Sequence, residues 1–174
     1  MDAGAGRKYS LFGLLALVSA LVDQASKGWA RDHLPSFGRA GMSVIGRKLV
    51  LLYAENPGIA FSQLQGLRNG RILLSVVSLV ALVLVARYLR STPASRPAMI
   101  AALGLICGGA IGNVVDRIWH GKVVDFILVD LGVWPLNPWP VFNVADAALV
   151  AGAILMALAL WRARSAPERV AKPA

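Results

Sequence analysis

Apolar positions gather into four long runs, at residues 11–30, 72–88, 98–118 and 141–161. A helix rises about 1.5 Å per residue, so each run is close to the roughly 20 residues that cross a bilayer, the second slightly short. The pattern changes between the first two runs. Residues 44–53 are rich in β-branched and aliphatic side chains, interrupted by Gly46 and a basic pair, and predict one or two short strands. Asn56-Pro57-Gly58 is a turn signal in which Gly58 can take a positive φ, and Ile59-Ala60-Phe61 then returns to apolar character. The predicted fold is a polytopic α-helical membrane protein. It has four transmembrane helices and a small extracytoplasmic sheet between helices one and two, all in one unit over residues 1–174. The β-rich segment spans 31–70, and a second outer loop spans 119–140.

Composition agrees: 57% of residues are apolar and 16% charged, against about 25% charged in soluble domains. The net charge of +9 would suggest nucleic acid in a soluble chain, but its distribution excludes that reading. Arg7 and Lys8 precede the first run, Arg87, Arg90 and Arg96 lie between the second and third, and Arg162, Arg164, Arg169 and Lys172 follow the last. Four spans bring these clusters to one side, which the positive-inside rule makes cytoplasmic. Anionic lipid headgroups are the expected partner for these bases. The 31–71 link is also basic, although long translocated segments obey the rule less strictly. A secretory signal over the first run is disfavoured: Asp23-Gln24-Ala25-Ser26-Lys27 interrupts the region where cleavage would fall.

Some familiar chemistry is missing from the sequence. The single Cys107 allows no intramolecular disulfide, and His33 and His120 lack ligand-spaced neighbours, so no metal or other cofactor is expected. No serine nucleophile elbow, P-loop or dinucleotide fingerprint occurs.

The polar residues that remain sit in or beside apolar runs. Asp23 and Lys27, four apart, can pair along one helix face. Gly104, Gly108 and Gly112 form a small-residue stripe that permits close helix contact, and Asp116 continues it one turn on. The same stripe suggests a narrow groove for small substrate residues. Asn113 and Arg117 share the neighbouring face, and Arg117 is close enough in sequence to pair with Asp116. Asn56 reads as a turn residue or a hydrogen-bond donor to substrate. Asp130 reads as a surface acid. Asp125 can fold back over the end of the third span to face Asp146. If the fourth helix begins at Val141, Asp146 lies about 7 Å inside it. A carboxylate so placed must be paired, neutralised or open to a watered cleft. Two such acids can share one proton and activate water, although proton-coupled transport also uses membrane carboxylates.

Five stretches carry a resemblance: Asp23-Gln24-Ala25-Ser26-Lys27; Asn56 to Phe61; Gly109 to Arg117; Val124-Asp125-Phe126; and Phe142-Asn143-Val144-Ala145-Asp146. In order and spacing they resemble the successive boxes of the bacterial lipoprotein signal peptidases (signal peptidase II). That resemblance implies an inner-membrane aspartyl endopeptidase with four helices, an extracytoplasmic β-cradle, cytoplasmic termini and an active site near the outer face. Its implied substrates are prolipoproteins carrying diacylglycerol on the lipobox cysteine, cut on the N-terminal side of that cysteine. Asp125 and Asp146 resemble the family's catalytic pair, and Asn56, Asn113, Arg117 and Asn143 its substrate-binding residues. Asp23, Lys27, Gly58, Gly108, Gly112 and Asp116 are expected to be structural. The remaining partners are membrane phospholipids, and the chain is expected to act as a monomer. Residues 131–140, with Trp134 and Trp139, follow no pattern that aligns closely.

Overall fold

The computed structural model describes residues 3–57, 70–133 and 139–165. Its four long helices are α1 (Ala3–His33), α2 (Gly70–Ser91), α3 (Pro97–Trp119) and α4 (Val144–Ser165). Each is long and apolar enough to cross a membrane. Large apolar side chains such as Leu14, Leu79, Val83 and Ile154 are exposed on the outside of the bundle. That is the expected arrangement where the surrounding solvent is lipid.

α3 lies at the centre, packing on α1, α2 and α4. Its glycines explain how. A Cβ at Gly104 would lie 2.9 Å from the Phe12 carbonyl oxygen, and one at Gly108 2.5 Å from that of Ala16, so this stripe is filled by α1. Gly109, on the other side, would meet the Ala145 carbonyl of α4. Small residues let backbones approach where lipid offers no hydrophobic drive for helices to associate. The groove expected along the glycine stripe is therefore absent: α1 occupies it.

At one end of the bundle Leu89, Met99, Ile100 and Leu103 form an apolar cluster, joined by Leu11, Phe12, Met156 and Ala159. Lys8 is buried there, donating to the Arg90 carbonyl at the end of α2 (3.2 Å). The N-terminus of α1, the C-terminus of α2, the N-terminus of α3 and the C-terminus of α4 thus meet at one end.

The opposite end carries a three-stranded antiparallel sheet, β1 (Met42–Ile45), β2 (Leu49–Asn56) and β3 (Val123–Val129), in that order. α1 gives way at Pro35 to a short 3-10 segment, Leu34–Ala40, since proline cannot continue the helical hydrogen bonding. β1 and β2 form a hairpin through Gly46, whose φ of 51° suits glycine. The sequence placed the sheet within 31–70 alone, yet its third strand comes from the 119–140 loop. There Val123-Val124-Asp125-Phe126 lies buried against β2 and α1. Pairing with β2 puts Asp125 opposite Ala54 and Val123 opposite Asn56. Gly58 and Trp134 lie outside the described residues.

Candidate active site

Between the sheet and the helices the polar residues of α1 and α3 meet. Asp23, Lys27 and Arg31 recur every four residues on α1, facing Asn113 and Asp116 of α3. Lys27 has no exposed side-chain surface. Its ammonium donates to Asp23 Oδ2 (2.8 Å), Asn113 Oδ1 (2.9 Å) and Asp116 Oδ2 (3.1 Å), which matches its three N–H donors to three acceptors. Arg31 adds a longer contact to Asp116, 3.6 Å. Gln24, to which sequence reasoning gave no role, donates to the Gly112 carbonyl (3.0 Å) and reaches both acids. A polar residue next to Asp23 in an otherwise apolar helix was the available signal.

The two acids held by Lys27 also hold the backbone. Asp23 Oδ1 accepts from the Ala145 N–H (2.8 Å), an otherwise unpaired donor at the start of α4. Asp116 Oδ2 accepts from the Val124 N–H (3.1 Å). Ala145 and Val124 are the residues immediately before Asp146 and Asp125. A Cβ at Gly112 would run into the Asp23 carboxylate, so glycine there is required by space.

Asn143 N-caps α4. Its Oδ1 accepts from the Asp146 N–H (2.9 Å), while Asp146 Oδ2 accepts from the Asn143 N–H (3.3 Å), the reciprocal pair of a capping box. The helix therefore begins at Val144, and Asp146 stands in its first turn instead of 7 Å inside. The Asn-x-x-Asp spacing carried that information. With Oδ1 so committed, Asn143 Nδ2 donates to Asp125 Oδ1 (2.6 Å). Phe142, one residue earlier, exchanges backbone hydrogen bonds with Ile127, which ties the start of α4 to β3. Asn113 is oriented by the same logic. Lys27 can only donate, so it fixes Oδ1 and turns Nδ2 toward Asp146 Oδ1 (2.8 Å).

Asn56, at the end of β2, donates to Asp125 Oδ2 (3.0 Å). It is thus a partner of the acid from the last position of a strand. Asp125 is 4% exposed. Burial pushes its carboxyl up to about 6; the Asn56 hydrogen bond opposes the rise and the nearby Asp146 charge adds to it. Asp146 is half-buried and opens onto a mostly apolar groove of about 400 Å³ with Trp139, Phe142, Val150 and Ile154.

Arg117 is not the ion-pair partner of Asp116, whose charge is met by Lys27 and Arg31. Its Nη1 donates to the Asn113 carbonyl (3.3 Å), and it lines a second groove, of about 410 Å³, with Ile72, Ser75 and Val76 of α2. Its buried Nε has no hydrogen-bond partner among the described residues. Asp130, as expected of a surface acid, lies at the end of β3, accepting from Gly132 N–H (2.8 Å).

Comparison with known proteins agrees with this arrangement. The family model for signal peptidase (SPase) II matches residues 15–162. A lipoprotein signal peptidase of Chlorobaculum tepidum is 39% identical over 155 residues, covering 86% of this chain and 93% of the relative. One from Moorella thermoacetica is 40% identical over 145 residues, covering 83% and 89%. A solved bacterial membrane enzyme, determined by the in meso method at 2.3 Å, superposes with a TM-score of 0.73 at 26% identity, covering 92% of this chain and 93% of its own. A second, at 1.9 Å, gives 0.69 at 25% identity, covering 84% and 90%. With its sequence matched over most of its length and its four helices and sheet shared with solved membrane enzymes, the chain belongs to the signal peptidase II family.

Proposed function

We propose that Asp125 and Asp146 are the catalytic pair with which this aspartic endopeptidase cleaves the signal peptides of lipoproteins. The observation that carries the assignment is their bonding. Both carboxyls accept N–H groups from the Asn56, Asn113 and Asn143 side chains. Neither has a basic ion-pair partner among the described residues, in contrast to Asp23 and Asp116. They are held in place without being neutralised.

Asp125, whose carboxyl burial pushes up to about 6, carries the shared proton. Asp146, at the mouth of the groove, takes a proton from water. The water oxygen attacks the scissile carbonyl carbon while Asp125 protonates the carbonyl oxygen, giving a neutral gem-diol. As the C–N bond breaks, Asp146 returns its proton to the leaving nitrogen and a gem-diol hydroxyl reprotonates Asp125. Every proton is accounted for between two acids and one water, and no metal is required.

Asn56 and Asn143 keep Asp125 aligned, Asn113 aligns Asp146, and Arg117 offers a guanidinium to the substrate from the side of α2. A signal peptide arrives as a helix with its backbone already hydrogen-bonded, so cleavage needs an extended piece near water. The shallow position of Asp146 in the first turn of α4 suits this. It suits ion relay poorly, since a relay needs polar groups deeper in the bundle. The mostly apolar groove beside Asp146 suits an acyl chain that remains in contact with lipid.

The basic end of the bundle is cytoplasmic in this reading and the sheet is outside. Cysteines placed at Arg96 and His120 in a Cys107→Ala background should then label from opposite sides. The substrate reading is tested with two precursors that differ only in diacylglyceryl modification of the lipobox cysteine. Strong preference for the modified form, with cleavage on the N-terminal side of that cysteine, is expected. Equal cleavage of both forms would overturn the lipid requirement.

A further inference from the structure

The seven acids among the described residues, Asp23, Asp32, Glu55, Asp116, Asp125, Asp130 and Asp146, all lie in the half of the molecule nearer the sheet. The opposite end carries Arg7, Lys8, Arg87, Arg90, Arg96, Arg162 and Arg164 with no described acid among them. Lys8 is already engaged by the Arg90 carbonyl and the Tyr9 ring. Of the others, Arg96, immediately before α3, and Arg162, on α4, line one groove together. That groove, of about 440 Å³, runs between the start of α3 and the end of α4. Its floor includes Met99, Leu155, Leu158 and Ala159.

The groove is polarised along the bundle axis. Arg96 immediately precedes α3, and Arg162 lies in the last turn of α4. Leu155 lies about 10 Å deeper along α4 than Arg162, by helical rise. α3 begins at Pro97 with no acidic residue in its first turn, so among the described residues no carboxylate competes for the guanidiniums. The groove therefore fits an amphiphile with a negative head and an apolar tail. A soluble anion would leave the floor uncovered, and a neutral lipid would leave the two charges unanswered. The basic segment of a signal peptide would be repelled.

We propose that this groove is a binding site for one anionic glycerophospholipid. Its phosphodiester is bound between Arg96 and Arg162, and an acyl chain lies along Leu155 and Leu158. Guanidinium matches phosphate oxygens in a two-pronged hydrogen-bonded geometry, which distinguishes this site from diffuse attraction to a charged surface. The bound lipid joins the end of α3 to the end of α4, the helices whose other ends carry Asn113 and Asp146. This goes beyond the cleavage reaction and does not depend on it.

The test uses the full chain, purified and delipidated in neutral detergent, with phosphatidylglycerol or phosphatidylcholine titrated in. Binding is counted by native mass spectrometry, and thermal unfolding is followed on the same samples. Wild type should retain one phosphatidylglycerol in preference to phosphatidylcholine, with a saturable rise in Tm. Arg96→Gln and Arg162→Gln should each weaken that binding about fivefold, and the double variant about 25-fold, from roughly 1 kcal/mol per basic side chain. Arg7→Gln with Arg164→Gln, which removes equal charge away from the groove, should leave it intact. Equal retention of both lipids, an unaltered double variant, or an equal loss in the Arg7/Arg164 control would each overturn the site. A phosphatidylglycerol with a photoreactive acyl chain, applied to the unmutated protein, gives an answer independent of variant folding. Labelling should concentrate on peptides containing Met99 or Leu155–Leu158, and uniform labelling of the lipid-facing side of α2 would refute the proposal.

Discussion

The site contains two pairs of acids in two different electrical situations. Asp23 and Asp116 have no exposed surface and share the Lys27 ammonium, at 2.8 and 3.1 Å. Each also accepts a backbone N–H, from Ala145 and Val124. Asp125 and Asp146 are the residues next along the chain from those two amides. They are hydrogen-bonded by amide groups, and among the described residues neither forms an ion pair with a lysine or arginine. One pair is answered by a cation and holds the backbone in place; in the proposed mechanism the other keeps a proton to exchange. A buried carboxylate in a membrane protein is not by itself a sign of catalysis; what answers its charge decides its role.

The largest effect expected on activity comes from the uncompensated pair. Asp125→Asn and Asp146→Asn should each lower turnover of a lipid-modified precursor by about 10²–10⁴-fold, the usual worth of a general acid or base. Both variants should remain folded and inserted. Turnover within tenfold of wild type by either would remove that residue from the catalytic pair.

Lys27→Met should do the reverse, striking stability first. It leaves two buried carboxylates without their cation, at a cost of about 3–5 kcal/mol. Adding Asp23→Asn and Asp116→Asn to the same chain should recover part of that loss. If Lys27→Met alone unfolds at the wild-type temperature, the distinction between the two pairs fails.

A subtler change separates electrostatics from packing. The Asn56 N–H favours the ionised form of Asp125, so Asn56→Ala should raise a carboxyl already at about 6. Activity that requires the proton on Asp125 falls as pH rises through that value. The alkaline limb of kcat/KM should therefore move to higher pH in the variant, alongside any loss of rate. A limb that stays in place or moves lower would mean that the proton resides elsewhere.

The smallest effect belongs to the neighbouring exposed network. Tyr53 donates to Glu55 (2.7 Å), and Glu55 pairs with Lys122 (2.6 Å) across the sheet. Glu55→Gln should shift stability within about 1 kcal/mol, because both charged groups are well hydrated and salt-screened. A larger loss on thermal unfolding would show that the bridge braces Asn56.

Much of this was readable along the chain. The four spans emerged from apolar run length, and their observed ends extend the predicted ones by one to eight residues except at the start of α4. The glycine stripe on α3 was visible as spacing, as was the continuation to Asp116, which does face α1. Hydrophobicity alone does not separate α2 from α3: both are apolar enough to span a membrane, yet α3 is far more buried, because in lipid the packed helix is the one with small residues. The third strand escaped detection because a short buried strand and an apolar loop look alike until a partner edge is supplied.

By itself, the sequence determined which residues have the chemistry and which stretches cross the membrane. Run length and side-chain type are local quantities that need no partner. Only the tertiary structure decided which acid is answered by which cation. Asp116 adjoins Arg117 in sequence, but helical geometry points the two in different directions, and the charge that meets Asp116 comes from α1, 89 positions earlier at Lys27. Likewise, Asn143 reaches Asp125 only because β3 pairs with β2 and Phe142 hydrogen-bonds to Ile127. A carboxylate's role depends on the field and hydrogen bonds around it, and those come from segments the chain brings together only when it folds.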